Sequence, residues 1–320
     1  MGINKEFKKL DEQVEILINK GLTVNNVDYA KEVLLRENYF FLNGYRHLFM
    51  KSSTNKTYIE GSTFEELYSL FLFDREFRNI LFKNILTIEN NVKSVMSYQL
   101  SMQYGYHEKD YLDRKNFINN PEKNKQVNDV IRKMKRQIKS NAESHSATMH
   151  YVNSYGYIPL WVLVKVLSFG IIGELYSILK REDKLSVADI YDLDTETFAN
   201  YLVMLSNYRN ICAHEDIVFD HKTERVIPDT EFHKKLNIFK MDDEYIYGKD
   251  DLFAVIIIFK YLLEDAEFRL MLKEFEYELE KLDGRIDSIP VEKILDTMGI
   301  PKNYMDIINL WGDIKWKKKK

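Results

Sequence analysis

The stretch FEELYSLFLFDREFRNILFKNILTIENNVKS (64–94) decides the fold. Leu67, Leu70, Phe71, Phe77, Leu81, Ile85, Ile88 and Val92 return at helical spacing, which puts them on one stripe of an α-helix. Ser62 and Glu65 stand before it at capping-box spacing, so a helix is expected to begin there and to run to about residue 103. Asp74 and Arg78 interrupt the stripe at i,i+4 spacing, with Arg75 beside them. A local ion pair at the stripe's edge is the plain expectation, and a functional or architectural polar cluster is the alternative.

The pattern continues outward in both directions. Phe7, Leu10, Val14, Leu17 and Ile18 place a helix over 5–20, ending at Gly21, and Asn26 can cap a second helix over 27–37. NYFFLNGYRHLFM (38–50) is too aromatic for a linker; its rings are expected in the core, with base stacking as the alternative. Residues 51–60 read as an exposed loop. Downstream, 121–142 read as a basic helix, and Tyr157-Ile158-Pro159 opens an apolar helix to about Leu179. Gly170 and Gly173 within it either permit close helix approach or weaken the helix. Asp194 or Thr195 starts a helix carrying Phe198, Leu202 and Leu205. Residues 221–249 are polar and irregular, a long helix covers about 250–281, and short helices follow near 291–298 and 302–310. No period-2 run supports a substantial sheet, so the fold is expected to be all-α.

Composition agrees. Of 320 residues, 45% are hydrophobic and 30% charged, as in a globular protein, and 12 Gly and 5 Pro are few for a turn-rich β fold. The single cysteine, Cys212, rules out an intrachain disulfide and makes a reducing, cytoplasmic compartment the simplest expectation. The charged N-terminus has no apolar signal core. Two apolar runs, 158–173 and 252–263, are interrupted by Lys165 and Lys260; they are too short for a membrane span and read as buried helices. The net charge is −4, yet residues 113–139 hold nine Lys/Arg against three acids, and five of the last six residues are lysines. A basic face on an acidic protein follows.

The chemistry concentrates at Arg209-Asn210-Ile211-Cys212-Ala213-His214. Arginine offers fixed donors to a phosphate and stays charged; histidine exchanges a proton near neutral pH. Together they suit RNA cleavage by the 2′-OH on the adjacent phosphorus, with no metal required. Positions five apart differ by about 140° on an ideal helix, so the pair converges only if the helix is distorted or if two copies face each other. By themselves an Arg and a His at this spacing mean little, and the plainer reading is a surface Arg and a His near a helix end.

Four segments, in order, carry a resemblance. NYFFLNGYRHLF (38–49) is similar to an aromatic N-terminal element; 64–94 to a long helix with an Asp-Arg pair, a later Arg and a later Glu. PLWVLVKVLSFGIIGELYSIL (159–179) has Pro, Trp and a Ser-Phe-Gly turn; LSNYRNICAHEDIVF (205–219) holds the R-x4-H motif with Asn after Arg. MGIPKNYMDIINLW (298–311) is a weaker match. In these the chain resembles the Abi-like family of bacterial abortive-infection proteins, within the HEPN superfamily. The resemblance implies a HEPN-type helical bundle over 61–220, with an N-terminal helical element (1–60) and a C-terminal helical extension (221–320) bearing the lysine tail. It implies a homodimer that brings two Arg/His pairs into one cleft, and endoribonuclease activity as a toxin in phage defence. Arg209 would hold the phosphate, His214 would handle the proton and Asn210 would orient the site. A small noncoding antitoxin RNA is a plausible partner. HEPN toxins silenced by adenylylation carry Tyr two positions after the His; Asp216 here speaks against that control.

Other residues divide between solvent and function. Arg132, Lys133, Lys135, Arg136 and Lys139 are candidates for an RNA backbone track, with a solvated helix face as the alternative. Disorder is the expectation for the lysine tail, and a structural thiol for Cys212. His107, His145, His150 and His221 lack ligand-like spacing, and no Walker loop or GxGxxG occurs, so no metal or cofactor is expected. The rival to the nuclease is a noncatalytic RNA-binding or protein-interaction module, marked by a His214 buried among apolar neighbours. A sensor that cleaves only after activation would show an occluded or unpaired site at rest.

Overall fold

A computed structural model describes residues 6–52 and 54–310; the lysine tail lies outside them. Helices and the loops between them make up the described residues, and the sole pair of named strands among them is a short hairpin of Lys240–Met241 and Glu244–Tyr245. The fold is all-α, as the sequence leads one to expect.

In chain order the helices are α1 (Leu10–Asn19), α2 (Val27–Glu37), α3 (Tyr39–Gly44), α4 (Phe64–Tyr104), α5 (Glu108–Tyr111), α6 (Asn124–Asn141), α7 (Ser146–Tyr155) and α8 (Leu160–Leu163). They continue with α9 (Phe169–Ile178), α10 (Arg181–Ala188), α11 (Thr195–Ala213), α12 (Glu231–Lys235), α13 (Leu252–Leu262), α14 (Asp265–Asp283) and α15 (Val291–Met298). Short 3-10 turns follow α3, as Tyr45–Phe49, and α15, as Tyr304–Ile308.

The axis of the molecule is α4, 41 residues and so about 60 Å long. All eight residues of the stripe read from 64–94 are buried. The helix starts one residue later than the sequence pattern implies. Thr63 and Glu66, not Ser62 and Glu65, form the box: the Glu66 N–H donates to Thr63 Oγ1 (3.2 Å) and the Thr63 N–H to Glu66 Oε2 (2.8 Å). Ser62 is spent elsewhere, its carbonyl accepting from the Thr23 N–H (3.0 Å). Helices α8, α10, α11 and α14 pack along α4. Phe275 of α14 meets Phe77 at 4.8 Å and Phe73 at 6.3 Å between ring centroids, so the C-terminal stretch shares the core of the long helix.

The α2 cap falls where the sequence puts it: Asn26 accepts from the Tyr29 N–H (3.0 Å). Two expected long helices are each broken in two. The run 157–179 becomes α8 and α9, because the backbone turns extended at Ser168, whose side chain caps α9. The run 250–281 becomes α13 and α14, interrupted by extended backbone at Leu263 and Glu264, and Glu264 with Glu267 opens a new capping box. Apolar residues at helical spacing on both sides hid each break. Helix α13 is buried nearly all round, Lys260 included; Lys260 Nζ reaches the Ile308 carbonyl (3.2 Å). No helix among the described residues is long and apolar enough to cross a membrane. Gly170 and Gly173 both face α11, at Ser206 and Leu202, so they serve close approach.

The aromatic element 38–50 does not go wholly to the core. Tyr45 and Phe49 are buried, but Phe40 is 75% exposed and Phe41 54%. A three-residue and four-residue repeat cannot be read from a six-residue helix, so the sequence could not sort these rings.

Candidate active site

Helix α11 carries the Arg/His segment at its C-terminal end. Asp194 caps its start, accepting from the Glu196 and Thr197 N–H groups (3.0 and 2.9 Å). Its end is closed by a Schellman arrangement: the Glu215 N–H donates to the Cys212 carbonyl (3.3 Å) and the Asp216 N–H to the Ile211 carbonyl (3.1 Å). The left-handed residue this requires is Glu215 (φ 59°), where glycine is usual. His214 is therefore the last residue before a sharp turn, and its direction is set by that turn rather than by helical phase.

The helix stays regular through Ala213, so Arg209 and His214 diverge. No hydrogen bond, ion pair or ring contact joins them. Arg209 lies back on α4. Its guanidinium carbon is 5.7 Å from the Phe82 ring centroid, and its Nε is 3.7 Å from Glu89 Oε2. That gap is too long for a hydrogen bond, and both atoms are buried without one. The other oxygen of Glu89 accepts from Lys93 Nζ (2.6 Å). Glu89 is the later Glu of the long-helix resemblance, which gave it no role; its place beside Arg209 comes from the structure. Asn210 is exposed, and its carbonyl receives the His214 N–H (3.0 Å).

His214 is exposed and lines a cleft of about 670 Å³ between α2, α3, α4 and the turn after α11. Four arginines, Arg36, Arg46, Arg75 and Arg78, and two histidines, His47 and His214, line it against three acids. Most of the arginines are committed. Arg75 pairs with Glu37, Arg36 with Glu32 (3.4 Å) and Arg78 with Asp74. Arg46 donates to Asn43 Oδ1 (2.7 Å) and has no carboxylate partner among the described residues.

The floor of the cleft rests on a buried knot. Asp74 accepts from the Tyr45 hydroxyl (2.7 Å), the Phe219 N–H (2.8 Å), the Val218 N–H (3.3 Å) and the Arg78 guanidinium. Arg78 also donates to the Asp216 carbonyl (3.2 Å). Burial pushes the Asp74 carboxyl up to about 6, against the pull of Arg78 and the three other donors, so it is mostly ionised at neutral pH. The architectural polar cluster, rather than an ion pair at the stripe's edge, is what the structure holds: Asp74 is 0% exposed. It ties the aromatic N-terminal element and the chain after His214 to α4. Gly44 completes the fit, since a Cβ there would collide with the Ile217 side chain.

The remaining candidates lie elsewhere. Arg132, Lys133, Lys135, Arg136 and Lys139 are exposed on α6, away from the His214 cleft. Two of them are engaged, Arg132 with Asp129 and Lys133 with Glu174, each at 2.6 Å. Cys212 is buried and its thiol is pushed up to about 12, which suits a structural thiol and not a nucleophile. Among the described residues no group of three or more His, Cys, Asp or Glu side chains could hold a metal ion.

No curated protein and no solved structure matches the chain. A family model does: that of the Abi-like protein, over residues 32–220. These limits enclose the aromatic element, α4, the Asp74 knot and the whole Arg/His segment, and they span more than half of the sequence. The chain belongs to the Abi-like protein family.

Proposed function

We propose that the protein is a metal-independent endoribonuclease of the HEPN type, serving as a toxin in abortive-infection defence against phage. The observation that carries this reading is the position of His214, exposed at the lip of an arginine-lined cleft rather than buried among apolar side chains. An imidazole there can take the proton of an RNA 2′-OH while that oxygen attacks the adjacent phosphorus. The phosphorus–O5′ bond breaks, the leaving oxygen takes a proton from a second imidazole, and the products are a 2′,3′-cyclic phosphate and a 5′-hydroxyl. Atoms balance without an added metal or cofactor.

One chain supplies one His214 and an Arg209 that points away from it. A second copy would supply the other imidazole and bring its own Arg209 to the phosphate, so a homodimer is part of the proposal. Arg209 resting on Glu89 supports a second reading, a sensor whose site is assembled only on activation. A small noncoding antitoxin RNA would be one partner able to hold it at rest. The basic face of α6 is proposed as a track for the RNA backbone.

The test is purified protein incubated with cellular RNA in EDTA. Wild type is expected to cleave, leaving cyclic phosphate ends, and Arg209→Ala and His214→Ala to be inactive while still folded. Cleavage that persists in both variants sinks the assignment.

A further inference from the structure

The rim of the His214 cleft exposes two aromatic rings. Phe40 and Phe41, consecutive on α3, expose 75% and 54% of their surface, and their rings meet edge to face at 5.9 Å. Exposing two adjacent phenylalanines forfeits much of the gain from burying them, and the chain does so on a helix whose next residue, Leu42, is buried. Both rings line the same cleft as His214 and Arg46. Among the described residues Arg46 has no carboxylate partner, and its guanidinium donates to Asn43 Oδ1 (2.7 Å). The cleft therefore offers π faces, an arginine with no carboxylate partner among the described residues and an imidazole, within a volume typical of small-ligand sites.

We infer that Phe40 and Phe41 form a base-stacking subsite for single-stranded RNA, with Arg46 taking the neighbouring phosphate. The inference rests on the nuclease reading and names its substrate class. Bases can reach the rings only when they are unstacked, so a paired helix is excluded and a loop or open strand is selected. Stacking is tolerant of sequence, because every base has a π face; the subsite selects for strandedness and not for a particular base. A protein partner could also cover two phenylalanines, but an arginine with no carboxylate partner among the described residues and an exposed imidazole in the same cleft favour an anionic ligand.

The experiment measures binding by fluorescence anisotropy, using a short, fully 2′-O-methylated RNA strand that cannot be cleaved by 2′-OH attack, and the same strand annealed to its complement. Phe40→Ala with Phe41→Ala is expected to weaken binding of the strand at least tenfold and to leave the duplex unchanged. Arg46→Gln is expected to reduce the slope of log affinity against log salt by about 0.7. The rings are exposed, so the double variant should melt with wild type, and this is checked first. Wild-type affinity of the double variant for the strand overturns the inference and leaves the rings to a protein partner. Equal loss for strand and duplex also overturns it, because stacking cannot account for that. Cleavage of an unmodified strand by His214→Ala is scored separately: its persistence removes the catalytic reading without touching the binding result.

Discussion

Asp74 and Arg78 occupy one turn of α4; Glu89 and Lys93 occupy another, fifteen residues along and about 22 Å away. Both are acid–base pairs at i,i+4, and both are buried. Each also reaches the Arg/His segment, the first at the backbone of 216–219 and the second at Arg209. They differ in completeness. The Asp74 carboxylate is saturated by a guanidinium, a hydroxyl and two backbone N–H groups. Glu89 has one oxygen on Lys93 and the other facing Arg209 across 3.7 Å without a hydrogen bond. A saturated buried pair costs much to open, while a half-satisfied one leaves its third member loosely held. The turn that carries His214 is therefore held on several sides, and Arg209 is the less tightly held end of the Arg/His segment.

The largest effect should come from breaking the closed knot. Asp74→Ala leaves Arg78, the Tyr45 hydroxyl and the Phe219 N–H buried without their acceptor, and should cost about 3–5 kcal/mol in urea unfolding. A change under 1 kcal/mol would show that the knot is not structural.

A third buried carboxylate sharpens the point by lacking a cation in contact. Asp251 caps α13 and accepts from the Gly248 and Ala254 N–H groups (3.0 Å each), and burial pushes it up to about 7. Its folded-state value is raised, so its contribution is fully present below the ordinary aspartate range and is lost as pH rises through about 7. From this group alone, stability should fall by about 2 kcal/mol between pH 5 and pH 7. Asp251→Asn, which keeps an acceptor for the cap, should flatten that dependence; an unchanged profile would assign the slope to other groups.

Next in size is Gly44→Ala. The added methyl meets the Cδ1 end of the Ile217 side chain, which must turn aside at a cost of about 1 kcal/mol, and under the proposed function cleavage should fall with any shift of the turn that bears His214. Unaltered stability and cleavage together would mean that the turn is not held from this side.

The smallest effect on stability is expected from the open pair. Glu89→Gln with Lys93→Met should change unfolding by less than about 1 kcal/mol, since paired charges give way to neutral groups of similar volume. Arg209 loses its carboxylate, and under the proposed function RNA cleavage should rise severalfold. A fall in cleavage would instead make Glu89 the residue that positions Arg209.

Some of this was legible in the sequence. The α4 stripe, the Asn26 and Asp194 caps and the helical identity of the Arg/His segment depend on contacts within four residues, which periodicity and capping record. The one-residue error at the α4 start came from Ser62 and Thr63 being equally able to cap; a backbone bond to Thr23 settled it. The break at Ser168 lay inside an apolar run, where a buried helix and a buried turn look alike, and that at Leu263–Glu264 lay at the end of one, where helical spacing resumes at once with Phe268, Met271 and Phe275.

The sequence by itself determined an all-α chain around one long helix, and a helix that ends on an arginine and a histidine too far apart in phase to share a face. Only the tertiary structure decided that Arg209 falls against Glu89 while His214 opens onto a cleft, that Asp74 anchors a backbone 145 residues away, and that Phe40 and Phe41 stay in solvent. The reason is physical. Local pattern reports which face of an element is apolar, but a carboxylate's partners and a ring's exposure depend on which distant segment arrives to cover them.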